Sequence, residues 1–239
     1  MGKSTIAALA IRHLHESTGE VVLAVDADPN ANLGSKLGTE PARTVGDLRE
    51  EMISRGEEPP PGMSKQEYVD YQIRLALKEG SGFDLLTMGR QEGPGCYCYI
   101  NNMLRTFVDA LSDRYHYVVI DNEAGMEHLS RRTTRASDVM FVLCDRSKAA
   151  LEAAKRISRL ADEMKLKIGR KVLVFNMLDA DSEGPPKNEI PEFDRVYGVR
   201  RSATVQTKME KDESLVDLPK RDPMYSDVAR MIDAERKGP

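Results

Sequence analysis

The first residues, Met1-Gly2-Lys3-Ser4-Thr5, set a glycine, a lysine and two hydroxyls in succession just where apolar residues begin to recur at helical spacing. That succession suits phosphate. A helix N-terminus offers backbone N–H groups and a favourable dipole, a lysine adds a point charge for the β- and γ-phosphates, and a hydroxyl can ligate Mg2+. Gly2, Lys3, Ser4 and Thr5 match the end of the loop G-x-x-x-x-G-K-[ST], with Lys3 on the phosphates and Ser4 on the metal; an ordinary helix cap can read the same way. Two acidic groups extend the pattern: Asp26 and Asp28 follow the apolar run Val21 to Val25, and Asp121-Asn122-Glu123-Ala124-Gly125 follows Tyr117 to Ile120. A carboxylate at Asp121 can hold the metal's water shell, and Gly125 can sense a γ-phosphate. Asp26 or Asp28 can orient an attacking water or take its proton. Each acidic group alone also reads as a turn. Three such sites along one sheet edge point to a nucleotide hydrolase.

Two further features carry chemistry. The run Val172 to Phe175 ends in Asn176, whose amide offers a donor and an acceptor to an adenine edge, or simply caps the strand. Cys96-Tyr97-Cys98 places two thiols on a glycine-flanked segment. Thiolate-bound Zn2+ or Ni2+ wants four donors, so a symmetric homodimer could supply Cys96 and Cys98 from both copies; the alternative is a pair of small, semi-buried residues. Cys144 ends an apolar run and reads as core.

The elements that must position these residues are a helix over residues 3 to 17, stopped by Gly19, and short apolar runs that read as strands. Val21 to Val25, Asp84 to Met88, Tyr117 to Ile120, Val139 to Leu143, Val172 to Phe175 and Val196 to Val199 are mostly separated by helical stretches. This predicts an α/β fold: a doubly wound, mostly parallel sheet with helices on both faces and ligands at the strand C-terminal ends. One domain over 1–239 is expected, with a surface insertion around 50–82 that carries one helix, and a final helix after Met224.

Composition narrows the partners. With 39 acidic against 35 basic residues the net charge is -4, which provides no large positive field for nucleic acid. No apolar run approaches the about 20 residues that cross a bilayer, and no signal-peptide pattern opens the chain, so a cytoplasmic protein without a membrane partner is expected.

Taken together, Gly2-Lys3-Ser4-Thr5, Asp26-Ala27-Asp28-Pro29-Asn30-Ala31-Asn32-Leu33, Cys96-Tyr97-Cys98, Asp121-Asn122-Glu123-Ala124-Gly125-Met126-Glu127-His128 and Asn176 resemble the carbon monoxide dehydrogenase maturation ATPases of the CooC type. These belong to the deviant-Walker P-loop class with the nitrogenase iron protein and the septum-site and partition ATPases. The resemblance implies a homodimer that sandwiches ATP and hydrolyses it to ADP to drive nickel into carbon monoxide dehydrogenase, alone or in an acetyl-CoA synthase complex. It implies that Lys3 and Ser4 bind phosphate and Mg2+, that Asp28 positions the water, that Asp121 begins the second switch, that Cys96 and Cys98 hold Ni2+ or Zn2+ between subunits, and that Asn176 reads adenine.

The family's loop has the form Lys-Gly-Gly-Val-Gly-Lys-Ser, with a signature lysine that reaches across the dimer, whereas this sequence starts at the valine position, held by Met1. A valine codon read as an initiator gives the expectation of a start site assigned too late, with the first central strand and signature lysine left out. A chain that truly starts there is expected to hydrolyse ATP weakly or not at all. Arg200 and Arg201 stand where the class shows a Pro-rich turn and read as solvated surface charge. Two rival readings accompany this one: a partition-type positioning ATPase in which the cysteines are incidental, and a truncated, non-catalytic paralogue that binds metal and partner only.

Overall fold

The computed structural model describes residues 2–41, 43–54, 59–90, 97–125, 136–179 and 190–236. The chain begins with α1 (Lys3–Thr18), β1 (Val22–Ala27), α2 (Leu33–Lys36), α3 (Val45–Ser54) and α4 (Lys65–Ala76). There follow β2 (Leu77–Glu79), β3 (Phe83–Thr87), α5 (Tyr97–Ser112), β4 (Tyr117–Asn122), β5 (Ala136–Cys144) and α6 (Lys148–Glu163). The last elements are β6 (Lys167–Leu178), β7 (Arg195–Arg200), α7 (Ala203–Glu210) and α8 (Pro223–Arg236).

Strand pairing confirms the α/β reading and divides the sheet. β2, β3, β1 and β4 form one sheet in that order, and β5, β6 and β7 form a second. All described pairings are parallel except β2 with β3. β1 is buried along its whole length, as its apolar run requires of a strand paired on both sides. β4 and β5 each end a sheet, and Val119 and Phe141 on them are half-buried.

Period-two alternation sends Val22 and Ala24 of β1 to one face and Leu23 and Val25 to the other. The first pair joins a core with α1, α8 and residues of both sheets, among them Val172 and Val174 of β6. The second pair packs with α3, α4 and α5, and a third cluster covers the other face of β5 and β6 with α6. Ile6, Leu9, Ala10 and Leu14 of α1 are all buried, so the apolar stripe read from the sequence faces this core. The helix stops at Gly19, which takes φ 76° and donates its N–H to His15 O at 2.8 Å. α4 opens on a reciprocal cap between Ser64 and Glu67. Residues 50–82 therefore carry α4 and the edge strand β2, and Ile73 and Ala76 enter a core cluster.

Two corrections concern charge and length. Arg200 is not free surface charge: its guanidinium donates to both Asp227 oxygens at 2.8 Å, and its N–H donates to Asp227 Oδ2 at 3.0 Å, which ties β7 to α8. Arg201 remains largely exposed, 3.9 Å from Asp179. The strands also run past their apolar runs, so Asp26, Asp121 and Asn176 lie inside β1, β4 and β6, not after them.

Candidate functional site

The alternation that builds the core also assembles the site. Phe83 and Leu85 of β3, Val22 and Ala24 of β1, Tyr117 and Val119 of β4, and Val172 and Val174 of β6 all face α1. Two residues further along each strand stand Thr87, Asp26, Asp121 and Asn176, so the same period points all four to the face that carries α1. In register, Thr87 pairs Asp26 and Asp26 pairs Asp121, a polar row across three parallel strands at their C-terminal ends. All four side chains are buried.

The N-terminus of α1 meets this row. Gly2 caps the helix with φ 78°, a left-handed conformation that a side chain resists. A Cβ there would also lie 2.8 Å from Asn176 Nδ2, so glycine is required twice over. On the other flank the Ser4 hydroxyl and the Lys3 charge both favour the ionised form of the Asp121 carboxyl. Burial nevertheless dominates and holds the Asp121 pKa above its ordinary value. Asp26 is pushed up from 3.8 to about 7, chiefly by burial and further by the neighbouring Asp121 charge, against N–H bonds from Leu33 and Asp28.

Those bonds shape the loop after β1. Asp26 Oδ2 accepts from Leu33 N at 2.8 Å, and Oδ1 accepts from Asp28 N at 3.2 Å. Asp28 Oδ1 in turn accepts from Asn30 N and Nδ2, at 2.8 and 2.9 Å, and Arg90 Nη2 donates to Asn30 Oδ1 at 2.8 Å. A partly exposed Asp28 is thus presented on a loop braced from β1 and from the end of β3. Gly125 takes φ 106° beyond β4, with open space where a Cβ would stand.

The arrangement fits Mg2+ at Ser4 and Asp121, which are hard oxygen donors. Asp121 Oδ2 is buried and, among the described residues, has no hydrogen-bond partner, which is the condition of a carboxylate oxygen kept for a cation. Thr87, which the sequence reading passed over, likewise has its Oγ1 buried with no partner among the described residues. Its signal was a hydroxyl two residues past Leu85, at the strand end, in phase with Asp26. Arg90 was missed because its link to the loop runs over 60 positions.

The structure does not reach the cysteine pair. Cys96 lies outside the described residues, and Cys98 is described only as backbone within α5. Met126, Glu127 and His128 also lie outside them. No group of three or more His, Cys, Asp and Glu poised for a metal occurs among the described residues, and no helix among them is long and apolar enough to cross a membrane.

Comparison with known proteins bears on the family and the fold. An uncharacterized ATP-binding protein of Methanocaldococcus jannaschii is 46% identical over 185 residues, 77% of this chain and 73% of that protein. The carbon monoxide dehydrogenase accessory protein CooC of Rhodospirillum rubrum is 29% identical over an alignment covering all of this chain and 94% of CooC. Among solved structures, the ParA family ATPase of Chlorobium tepidum superposes with a TM-score of 0.69 at 17% identity, over 97% of this chain and 92% of that one. The cell division ATPase MinD of Pyrococcus furiosus gives 0.68 at 16%, over 99% and 93%. At such identities these two speak for the fold alone. The family model described as AAA domain matches residues 1–174, and the chain belongs to that family of P-loop ATPases.

Proposed function

We propose that this chain hydrolyses ATP to ADP and phosphate as a homodimer, and that it serves, in the cytoplasm, the maturation of carbon monoxide dehydrogenase. The observation that carries the hydrolase reading is the meeting of Lys3, Ser4, Asp26 and Asp121 at the N-terminus of α1. Gly2 to Thr5 would cradle the phosphates, with Lys3 supplying the charge and Gly125 abutting the γ-phosphate. Ser4 and Asp121 would hold Mg2+, which when bound neutralises charge on the phosphates. Asp28 would orient the attacking water, and Asn176 would face adenine. The finer role, delivery of Ni2+ or Zn2+ from an intersubunit Cys96 and Cys98 site, is supported by the Cys-x-Cys motif and by the alignment with CooC along the whole chain.

Steady-state turnover tests the first step: Lys3→Ala and Asp121→Asn should each lower it by about 100-fold or more. Metal analysis tests the second, since one Ni2+ or Zn2+ per dimer, lost in Cys96→Ser, is required. Turnover without bound metal would favour a partition or septum-site type of positioning ATPase, whose fold this chain shares. Metal binding without turnover would favour a non-catalytic paralogue.

A further inference from the structure

We infer that Met177 is a nucleoside-contacting residue, whose thioether packs on the base side of a nucleotide held at α1. The inference rests on the nucleotide reading above and adds to it the surface that receives the uncharged end of the ligand.

Three observations converge on this side chain. Met177 takes φ 59°, in the left-handed region that an unbranched side chain enters only under constraint. It does so at the next-to-last residue of β6, where the pairing of β6 with β7 shifts register between Phe175 and Leu178. Such bulges re-aim a side chain. Its neighbours Asn176 and Leu178 are 5% and 3% exposed, while Met177 is 47% exposed. The bulge is pinned on its far side, where Arg201 N donates to Leu178 O at 2.7 Å. The exposed thioether is delivered to one place, since Met177 Cε lies 3.9 Å from where a Gly2 Cβ would stand.

The two flanks of the α1 N-terminus differ in kind. Lys3, Ser4 and Asp121 make the β4 flank ionic, whereas Asn176 and Met177 make the β6 flank an amide beside a polarizable apolar surface. A nucleotide has the same polarity, anionic at one end and planar and uncharged at the other. Phosphates belong on the first flank and the nucleoside on the second. Methionine suits that duty because its flexible, polarizable thioether packs well on aromatic rings.

Titration calorimetry on the full chain with MgADP, MgGDP and magnesium tripolyphosphate, for wild type, Met177→Gly and Met177→Leu, tests the assignment. Glycine accepts the positive φ, so Met177→Gly should melt at or above the wild-type temperature. It should bind MgADP about five- to tenfold more weakly and tripolyphosphate as wild type does, while Met177→Leu restores most of the loss. Unchanged MgADP affinity in Met177→Gly overturns the inference and leaves the ATPase reading intact. Equal loss of MgADP and tripolyphosphate also overturns it, because the bulge would then shape the phosphate loop. A wild-type chain that binds neither ligand overturns both readings.

Discussion

Asp26 makes the electrostatics of the site measurable without any nucleotide. Its carboxyl is wholly buried beside Asp121 and titrates at about 7, whereas the unfolded chain releases the same proton near 3.8. Between those values the native state holds a proton that the unfolded state has lost, so this group's contribution is most favourable below about 4 and declines as pH rises toward 7. Each pH unit costs about 1.4 kcal/mol, so the two units from pH 5 to 7 amount to about 3 kcal/mol, after which the decline stops. Asp26→Asn keeps an acceptor oxygen but cannot ionise. The variant should begin level with or below wild type at pH 5, where it weakens one of the N–H bonds from Asp28 and Leu33, and gain about 3 kcal/mol on it by pH 8. Urea unfolding followed by circular dichroism at pH 5, 6, 7 and 8, in buffer with a chelator and no nucleotide, reads this difference. Subtracting the two proteins cancels the titrating groups that do not interact with Asp26. A difference that stays flat across the series refutes the claim that burial beside Asp121 keeps Asp26 protonated.

Three further outcomes are expected. Gly2→Ala forces a Cβ into the left-handed region and toward Asn176 Nδ2; calorimetry should find MgADP bound at least about tenfold more weakly, with a loss of about 1–2 kcal/mol in urea. Arg200→Ala strips the bidentate donor from Asp227, whose side chain is 2% exposed, and leaves Arg230 as its remaining arginine. Urea titration should show a loss of about 2 kcal/mol, less than the about 3–5 of a wholly buried pair because Arg200 itself is part-exposed. Ser64→Ala removes the N-cap of α4 and should cost about 1 kcal/mol, read in the same way.

Apolar runs announced β1, β3, β4, β5, β6 and β7 because strands of a parallel sheet packed against helices carry short, nearly continuous runs of hydrophobic residues, and the glycine at position 19 announced the end of α1. Their extent was hidden where charge enters a strand, as at Lys167, Arg170 and Lys171 of β6. Pairing order was hidden too, since nothing local tells that β1 lies between β3 and β4; the adjacency of Asp26 and Asp121 is a tertiary fact. Arg200 was misread for the same reason, its partner Asp227 lying 27 positions away. The positive φ of Met177 had no signature at all, because glycine and asparagine are the residues that normally betray one.

A nucleotide held at the N-terminus of α1 as proposed would touch both sheets at once, Asp121 on β4 of the first and Asn176 on β6 of the second. Among the described residues β4 and β5 each lie at the end of a sheet, and the two sheets share the core beneath α1 and α8. Binding at that place would therefore bridge the two sheets. At a concentration about 100 times Kd it should stabilise the native state by about 2.7 kcal/mol, and the gain must be distributed over both sheets. Hydrogen exchange read by mass spectrometry, with and without MgADP, should show added protection at the C-terminal ends of both β4 and β6. Protection confined to β4 would mean that the ligand ends at the ionic flank, and the placement of the nucleoside against Asn176 and Met177 would fall with it.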